Sequence, residues 1–106
     1  MNTSNLLITC IIERGRAEEV MRVARKAGAK GGTVLPARGT GTDDDKKFLG
    51  ISVMPTEKEM LLIVAEQALA TAIMDAMRTL PACSKPGGSV IFTTQIGEFF
   101  TPGSYT

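Results

Sequence analysis

Apolar residues fall into two kinds of segment in this chain, and the order of these segments limits the folds that it can adopt. Residues 6–12 read LLITCII and residues 60–65 read MLLIVA, with apolar side chains at both odd and even positions. Such runs are typical of strands that are covered on both faces. Residues 16–27 and 67–80 instead carry apolar side chains at helical spacing, with polar ones between them. The sequence therefore predicts two covered strands and two amphipathic helices.

Further extended segments complete the pattern. Residues 33–38 form a predicted strand, and Pro36 suits an edge of the sheet because proline cannot donate a ladder hydrogen bond. Residues 48–53 and 57–66 are predicted either as one long bent strand or as two strands in succession. The last predicted strand spans residues 89–96.

Turn residues separate these elements. Gly28 is expected to end the first helix and Pro81 the second. Residues 39–47, GTGTDDDKK, are predicted as an exposed loop, and residues 83–88 as another. The tail, residues 99–106, is expected to be irregular.

The predicted order is strand, helix, strand, strand, helix, strand, within a single domain of residues 1–106. This is the α+β, ferredoxin-like βαββαβ arrangement, an antiparallel sheet with two helices on one face. The second helix is expected to bury its face of Leu69, Ala72, Ile73, Ala76, Met77 and Leu80. Because the predicted strands are apolar on both sides, the other face of the sheet predicts self-association.

Composition excludes several classes of function. The net charge of +1 and the absence of Trp argue against a nucleic-acid partner. The apolar run at residues 6–12 is too short for a signal peptide or a membrane span, which predicts a cytoplasmic protein. Cys10 and Cys83 are expected to be reduced, small buried side chains; a redox-sensing role is a minor alternative.

Several segments resemble the nitrogen-regulatory PII proteins. Residues 31–34 read GGTV and residues 37–41 read ARGTG, similar to the second strand and the opening of the long loop in that family. The pair Met54-Pro55 and the loop KPGG at residues 85–88 follow in the order of the family. The resemblance extends over residues 5–99, nearly the whole chain.

The resemblance implies a homotrimeric signalling protein that is not an enzyme. It implies that an effector, an adenine nucleotide such as AMP, ADP or ATP, binds in clefts between subunits and that no cofactor is obligatory. It also implies a partner under control, such as a transporter or a metabolic enzyme. The binding residues carried over from the family or argued from loop chemistry are Thr33, Arg38, Gly39, Gly41, Ile63, Lys85, Gly87, Gly88 and Ser89.

These residues have distinct expected roles. The resemblance places Thr33 and Ile63 near the base of the nucleotide. It places Gly39 and Gly41 at the opening of the long loop, and Gly87 and Gly88 in the phosphate loop. Independently of the resemblance, glycine permits close backbone approach to a phosphate, and Arg38 adds charge and directional donors. Lys85 and the hydroxyl of Ser89 extend the same chemistry.

The sequence also departs from the family pattern. Ser89 stands where relatives usually carry lysine, and Glu98, Phe99 and Phe100 stand where they carry basic residues. The loop at 39–47 is shorter than the long loop of the family, and the only tyrosine is Tyr105. These departures predict a divergent member whose ligand carries less charge than ATP.

Other functions stay open as alternatives. Asp43, Asp44 and Asp45 are expected to be solvated charge rather than a metal site, because three consecutive side chains do not converge on one ion. The chain contains no histidine, and a hydrolase using Arg38 lacks a residue to position water. A trimeric interaction protein of CutA type, binding no nucleotide, is the second alternative; Phe99 and Phe100 are candidates for packing or partner contact.

Overall fold

A computed structural model describes residues 4–40, 47–48, 51–52, 57–84 and 89–103. Its elements follow the predicted order, with three short additions. They are β1 (Asn5–Glu13), α1 (Ala17–Lys26), β2 (Thr33–Arg38), β3 (Lys47–Phe48), β4 (Ile51–Ser52), β5 (Glu57–Glu66), α2 (Gln67–Arg78), α3 (Pro81–Ser84) and β6 (Val90–Ile96).

Four strands form the main sheet in the order β2-β5-β1-β6, and every neighbouring pair is antiparallel. β1 therefore lies between β5 and β6, with Ile8 opposite both Ile63 and Thr93. β2 is an edge strand, as the proline at position 36 predicted. The α+β, ferredoxin-like arrangement predicted from the sequence is confirmed.

The segment before β5 differs from both predicted versions. Among the described residues, β3 and β4 pair with each other in a separate two-stranded sheet, so neither of them extends β5. β2 and β5 are separated by residues 39–56, a longer connection than the predicted loop of residues 39–47, whose last residue belongs to β3. Apolar residues in a short hairpin read like part of a longer strand, because both have extended backbones.

The core lies between one face of the sheet and the two long helices. Every second residue of β1 and β5 points toward the helices, since side chains alternate along a strand. Full burial of each large side chain stabilises the fold by roughly 1.5–3 kcal/mol. The largest fully buried residues are Ile8, Ile12, Leu61, Ile63, Ile73, Met77, Val20 and Cys10.

The opposite side of the sheet, here called the open face, is not covered by the helices. The strand registers place Leu7, Ile11, Met60, Leu62, Val64, Leu35, Val90 and Phe92 on it, together with the buried Thr9 at its centre. Phe92, opposite Thr9, is 42% exposed. The open face is the apolar surface from which the sequence predicted self-association.

The second half of the chain deviates locally from the prediction. α2 ends at Arg78. Residues 81–84 form the short helix α3, although residues 83 and 84 were predicted to belong to a loop. Cys83 of α3 joins the core. Among the described residues, no helix is long and apolar enough to cross a membrane.

Candidate functional site

A cavity of about 870 Å³, here called the Thr33 cavity, lies where β2 begins. The strands β1, β2 and β5, the segment between α1 and β2, the start of α2 and the chain after β6 contribute to it. The described residues that line it are Asn5, Gly28, Lys30, Gly31, Gly32, Thr33, Leu62, Val64, Ala65, Glu66, Leu69, Phe99 and Thr101.

Two glycines bring the segment before β2 against β5. Gly28 follows α1 with φ +123°, a conformation that favours glycine, and its N–H donates to the carbonyl of Arg25 at 3.0 Å. The N–H of Ala29 donates to the carbonyl of Ala24 at 3.0 Å, completing a Schellman turn. A Cβ on Gly32 would lie 3.0 Å from the carbonyl oxygen of Leu62, so a side chain there would be crowded against the backbone of β5. The predicted helix end at Gly28 is confirmed.

The apolar side of the Thr33 cavity comes from alternate residues of β5. Leu62 and Val64 line the cavity, whereas Ile63 is 0% exposed and points into the core on the other face of the strand. Ile63 therefore does not line this cavity, contrary to its expected contact with a ligand. A run that is apolar on both faces gives no alternation from which the cavity-facing side can be recognised.

Helix α2 also presents a different residue from the one expected. Leu69, predicted to be buried in the helix face, is exposed and lines the Thr33 cavity, and Ala70 is buried in its place. Ala72, on the same predicted face, is exposed too. The described helix packs through Ala70, Ile73 and Met77, a narrower stripe than its apolar composition indicated.

The lining of the Thr33 cavity is nearly neutral. Lys30 and Glu66 are the charged residues among the described residues that line it. Phe99 supplies an aromatic surface and Thr33 a hydroxyl. A flat aromatic ligand with one or two polar edges suits such a lining better than a dense negative charge does.

A second cavity of about 580 Å³, here called the Arg38 cavity, lies where β2 ends. Arg14, Arg38 and Lys58 line it with two carboxylates, Glu57 and Glu59, so basic side chains outnumber acidic ones by one. The Arg14 guanidinium pairs with Glu57. The remaining lining residues of the Arg38 cavity are Val34, Pro36 and Ala37.

Thr33 and Arg38 stand at opposite ends of β2 and line different cavities. Five strand residues span about 16 Å at roughly 3.3 Å per residue. The structure therefore does not bring these two predicted ligand residues together within one subunit.

The remaining predicted site residues divide into two groups. Gly39 follows Arg38 directly and is half-buried, and the hydroxyl of Ser89 donates to the carbonyl of Cys83 at 2.7 Å. Gly41, Lys85, Gly87 and Gly88 lie outside the described residues. Ser89 is thus held against α3 in this structure.

The predicted acidic loop and tail have similarly divided outcomes. Asp43, Asp44 and Asp45 lie outside the described residues, among which no group of three or more His, Cys, Asp or Glu side chains is arranged to hold a metal ion. Phe99 lines the Thr33 cavity, which sequence reasoning did not foresee, while Phe100 is 75% exposed.

The fold and its two cavities define a class of protein: a small ferredoxin-like α+β domain with an apolar open sheet face and a ligand-sized cavity at each end of an edge strand. Residues 6–100 match the sequence model of the family described as nitrogen regulatory protein P-II. The chain belongs to that family, as the resemblance of its segments predicted.

Several solved structures of PII proteins share the fold of this chain. The GlnK–ATP complex of B. subtilis has a TM-score of 0.69 and 17% identity, covering 91% of this chain and 84% of its own. Arabidopsis thaliana PII bound to citrate has a TM-score of 0.65 and 20% identity, with coverages of 87% and 77%. A putative PII-like signalling protein of Thermus thermophilus has a TM-score of 0.64 and 18% identity, with coverages of 89% and 87%.

At these identities the structural similarity establishes a shared fold. A search of curated proteins finds no match to this chain.

Proposed function

We propose that this chain is a homotrimeric regulator that binds an adenine nucleotide of low charge between its subunits and thereby controls a partner protein. The observation that carries the proposal is the separation of Thr33 and Arg38 into two cavities at opposite ends of β2. A nucleotide has an apolar, planar end and an anionic end. The Thr33 cavity suits the first and the Arg38 cavity the second.

A neighbouring copy brings the two halves of such a site together. In the proposed trimer the open faces pack inward, so the edge strand of one subunit approaches the next. The base then contacts Leu62, Val64 and Phe99 in one subunit, and the phosphate meets Arg38 of its neighbour. This arrangement agrees with the apolar open face. Both long helices of this 106-residue chain pack on the opposite face of the sheet, so a second subunit is needed to cover the open face.

The charge of the described residues favours AMP or ADP over ATP. The Arg38 cavity, where the phosphates are proposed to bind, has three basic and two acidic lining residues, so its net charge is only +1. Phe99 stands where relatives carry basic side chains near the end of the chain. Ser89, in the place of a family lysine, adds a hydroxyl but no charge. Each missing cation removes a charge-assisted hydrogen bond that a triphosphate would use.

The solved relatives give independent support for a small anionic effector. The B. subtilis GlnK structure is a complex with ATP and the Arabidopsis PII structure is bound to citrate. Control of a transporter or metabolic enzyme, and a cytoplasmic location, are expectations from the family and form part of the proposal.

Isothermal titration calorimetry with AMP, ADP and ATP tests the proposal. We expect saturable binding, with ATP no tighter than ADP. Thr33→Val removes one hydroxyl at constant volume and is expected to weaken binding about fivefold, equivalent to one net hydrogen bond of about 1 kcal/mol. Thr71→Val is the matched control, since Thr71 is exposed on α2 and does not line the cavity.

Light scattering on the same samples tests the assembly, for which we expect three times the subunit mass of 11.3 kDa. A trimer that binds none of the three nucleotides would refute the ligand assignment and favour the CutA-like alternative. A monomer would refute the shared site altogether.

A further inference from the structure

The two cysteines of the chain meet in the core. Cys10 lies in the middle of β1 and Cys83 in α3, and their Sγ atoms are 3.9 Å apart. Both are free thiols, and both are buried. They are separated by 73 positions in sequence, so only the packing of α3 on β1 brings them together.

The geometry permits a covalent link without rearranging the sheet. A disulfide needs its sulfurs about 2.0 Å apart, so the gap has to close by about 1.9 Å. Cys10 is fixed by ladders on both sides, because β1 pairs with both β5 and β6. Cys83 belongs to a four-residue helix, so rotation of both side chains and a small shift of α3 supply the approach.

The two thiols differ in access to solvent. Cys83 is 9% exposed and Cys10 is 0% exposed, so an oxidant reaches Cys83 first and only a small one fits. The hydrogen bond between the two thiols lowers the pKa of Cys83. The same hydrogen bond, reinforced by burial, raises the pKa of Cys10. Since the thiolate is the nucleophile, both observations assign the first attack to Cys83.

We propose that Cys10 and Cys83 form a reversible disulfide within one chain when the protein meets a peroxide. The Cys83 thiolate attacks one oxygen of hydrogen peroxide, the O–O bond breaks, and the leaving hydroxide takes a proton to become water. The resulting sulfenic acid is attacked by the sulfur of Cys10, which forms the S–S bond and releases a second water. Two thiols are oxidised and one peroxide is reduced, so atoms and electrons balance.

The link joins α3 to the centre of the sheet. α3 precedes residues 85–88 and holds Ser89 through the bond from its hydroxyl to the Cys83 carbonyl at 2.7 Å. The modification therefore acts next to one of the segments predicted to contact phosphate, but its detection does not depend on any ligand.

Peroxide treatment of the reduced full-length protein tests the proposal. The protein is denatured after treatment, alkylated with iodoacetamide and analysed by peptide mass spectrometry. We expect both cysteines to lose their alkylation, a peptide pair joined through Cys10 and Cys83 to appear, and both labels to return after reduction with dithiothreitol. Retention of both labels, irreversible oxidation of Cys83 alone, or a disulfide between two chains would each overturn the proposal.

Single variants test the order of the steps. In Cys10→Ala the Cys83 sulfenic acid has no resolving thiol, so dimedone is expected to trap it after peroxide treatment. The same variant without peroxide, and the wild-type protein with peroxide, are expected to give no adduct. In Cys83→Ala, Cys10 is expected to stay fully alkylatable. Equal trapping in the wild type and Cys10→Ala contradicts resolution by Cys10. If a core variant fails to fold, peptide mass spectrometry of the wild-type protein still decides whether the disulfide forms.

Discussion

Glu59 on β5 accepts a hydrogen bond from the backbone N–H of Ala17, the first residue of α1, at 3.0 Å. The same carboxylate oxygen accepts the N–H of Gly15 at 3.1 Å. Arg16, at the N-cap of α1, makes no capping bond with its own side chain. A residue 42 positions away therefore supplies the cap that the local sequence lacks.

Removal of this cap is expected to destabilise the fold. Glu59→Ala leaves the N–H groups of Gly15 and Ala17 without their acceptor and should lower the free energy of unfolding by about 1 kcal/mol. Glu59→Gln keeps a carbonyl oxygen but loses the negative charge that favours a helix N-terminus, so its effect should be smaller. Urea unfolding followed by circular dichroism, at one protein concentration, measures both. An alanine variant as stable as the wild type contradicts the capping role.

A charge on the open face is expected to prevent assembly. Phe92→Glu places a carboxylate beside Thr9 and the apolar side chains of β1, and burying it between subunits without a partner costs several kcal/mol. Light scattering should then show the 11.3 kDa monomer. Ala72→Glu, which adds the same charge on an exposed position of α2, should leave the assembly unchanged. An intact trimer in Phe92→Glu would place the interface elsewhere.

The thiol pair is expected to give alkylation of the folded protein a specific pH dependence. Because the hydrogen bond between the two thiols lowers the pKa of Cys83, its thiolate forms at a lower pH than that of an unperturbed thiol. The labelling rate of Cys83 should therefore rise with pH and reach half its maximum at a lower pH than that of an unperturbed thiol. Cys10, whose pKa the hydrogen bond and burial raise, should stay unlabelled in the folded state.

Cys10→Ala provides the control for this prediction. It removes the lowering hydrogen bond and leaves the raising effect of burial, so the midpoint for Cys83 should move to higher pH. Timed iodoacetamide labelling with mass spectrometry gives both midpoints. Identical midpoints in the two proteins contradict the coupling of the thiols.

The elements themselves followed from local patterns. The predicted strand at residues 33–38 has the observed bounds of β2, and the predicted end of α1 at Gly28 is a Schellman turn. Hydrophobic period and turn chemistry act over a few residues, so a sequence displays them directly. The short strands β3 and β4 were not predicted, because two-residue strands are too short to show a hydrophobic period.

The candidate site was predictable only in part. Thr33 was placed in the site by resemblance to the family and does line a cavity. Ile63 was placed there too, but it is buried in the core, and Leu62 and Val64 line the cavity because the side chains of Leu61, Ile63 and Ala65 face the helices. Phe99 was recognised as a departure from the family. Its contribution to the Thr33 cavity depends on the tertiary structure, which places it in the same cavity lining as residues of β5.

The sequence by itself determined the number, kind and order of the main elements, since helix and strand patterns depend on neighbours along the chain. The tertiary structure alone decided which face of β5 meets the core, that Glu59 caps α1, and that Cys10 meets Cys83. These relationships depend on the strand order β2-β5-β1-β6 and its registers, which join residues far apart in sequence. A register shift of one residue would reverse the facing of each strand, and no local pattern in a doubly apolar strand specifies that choice.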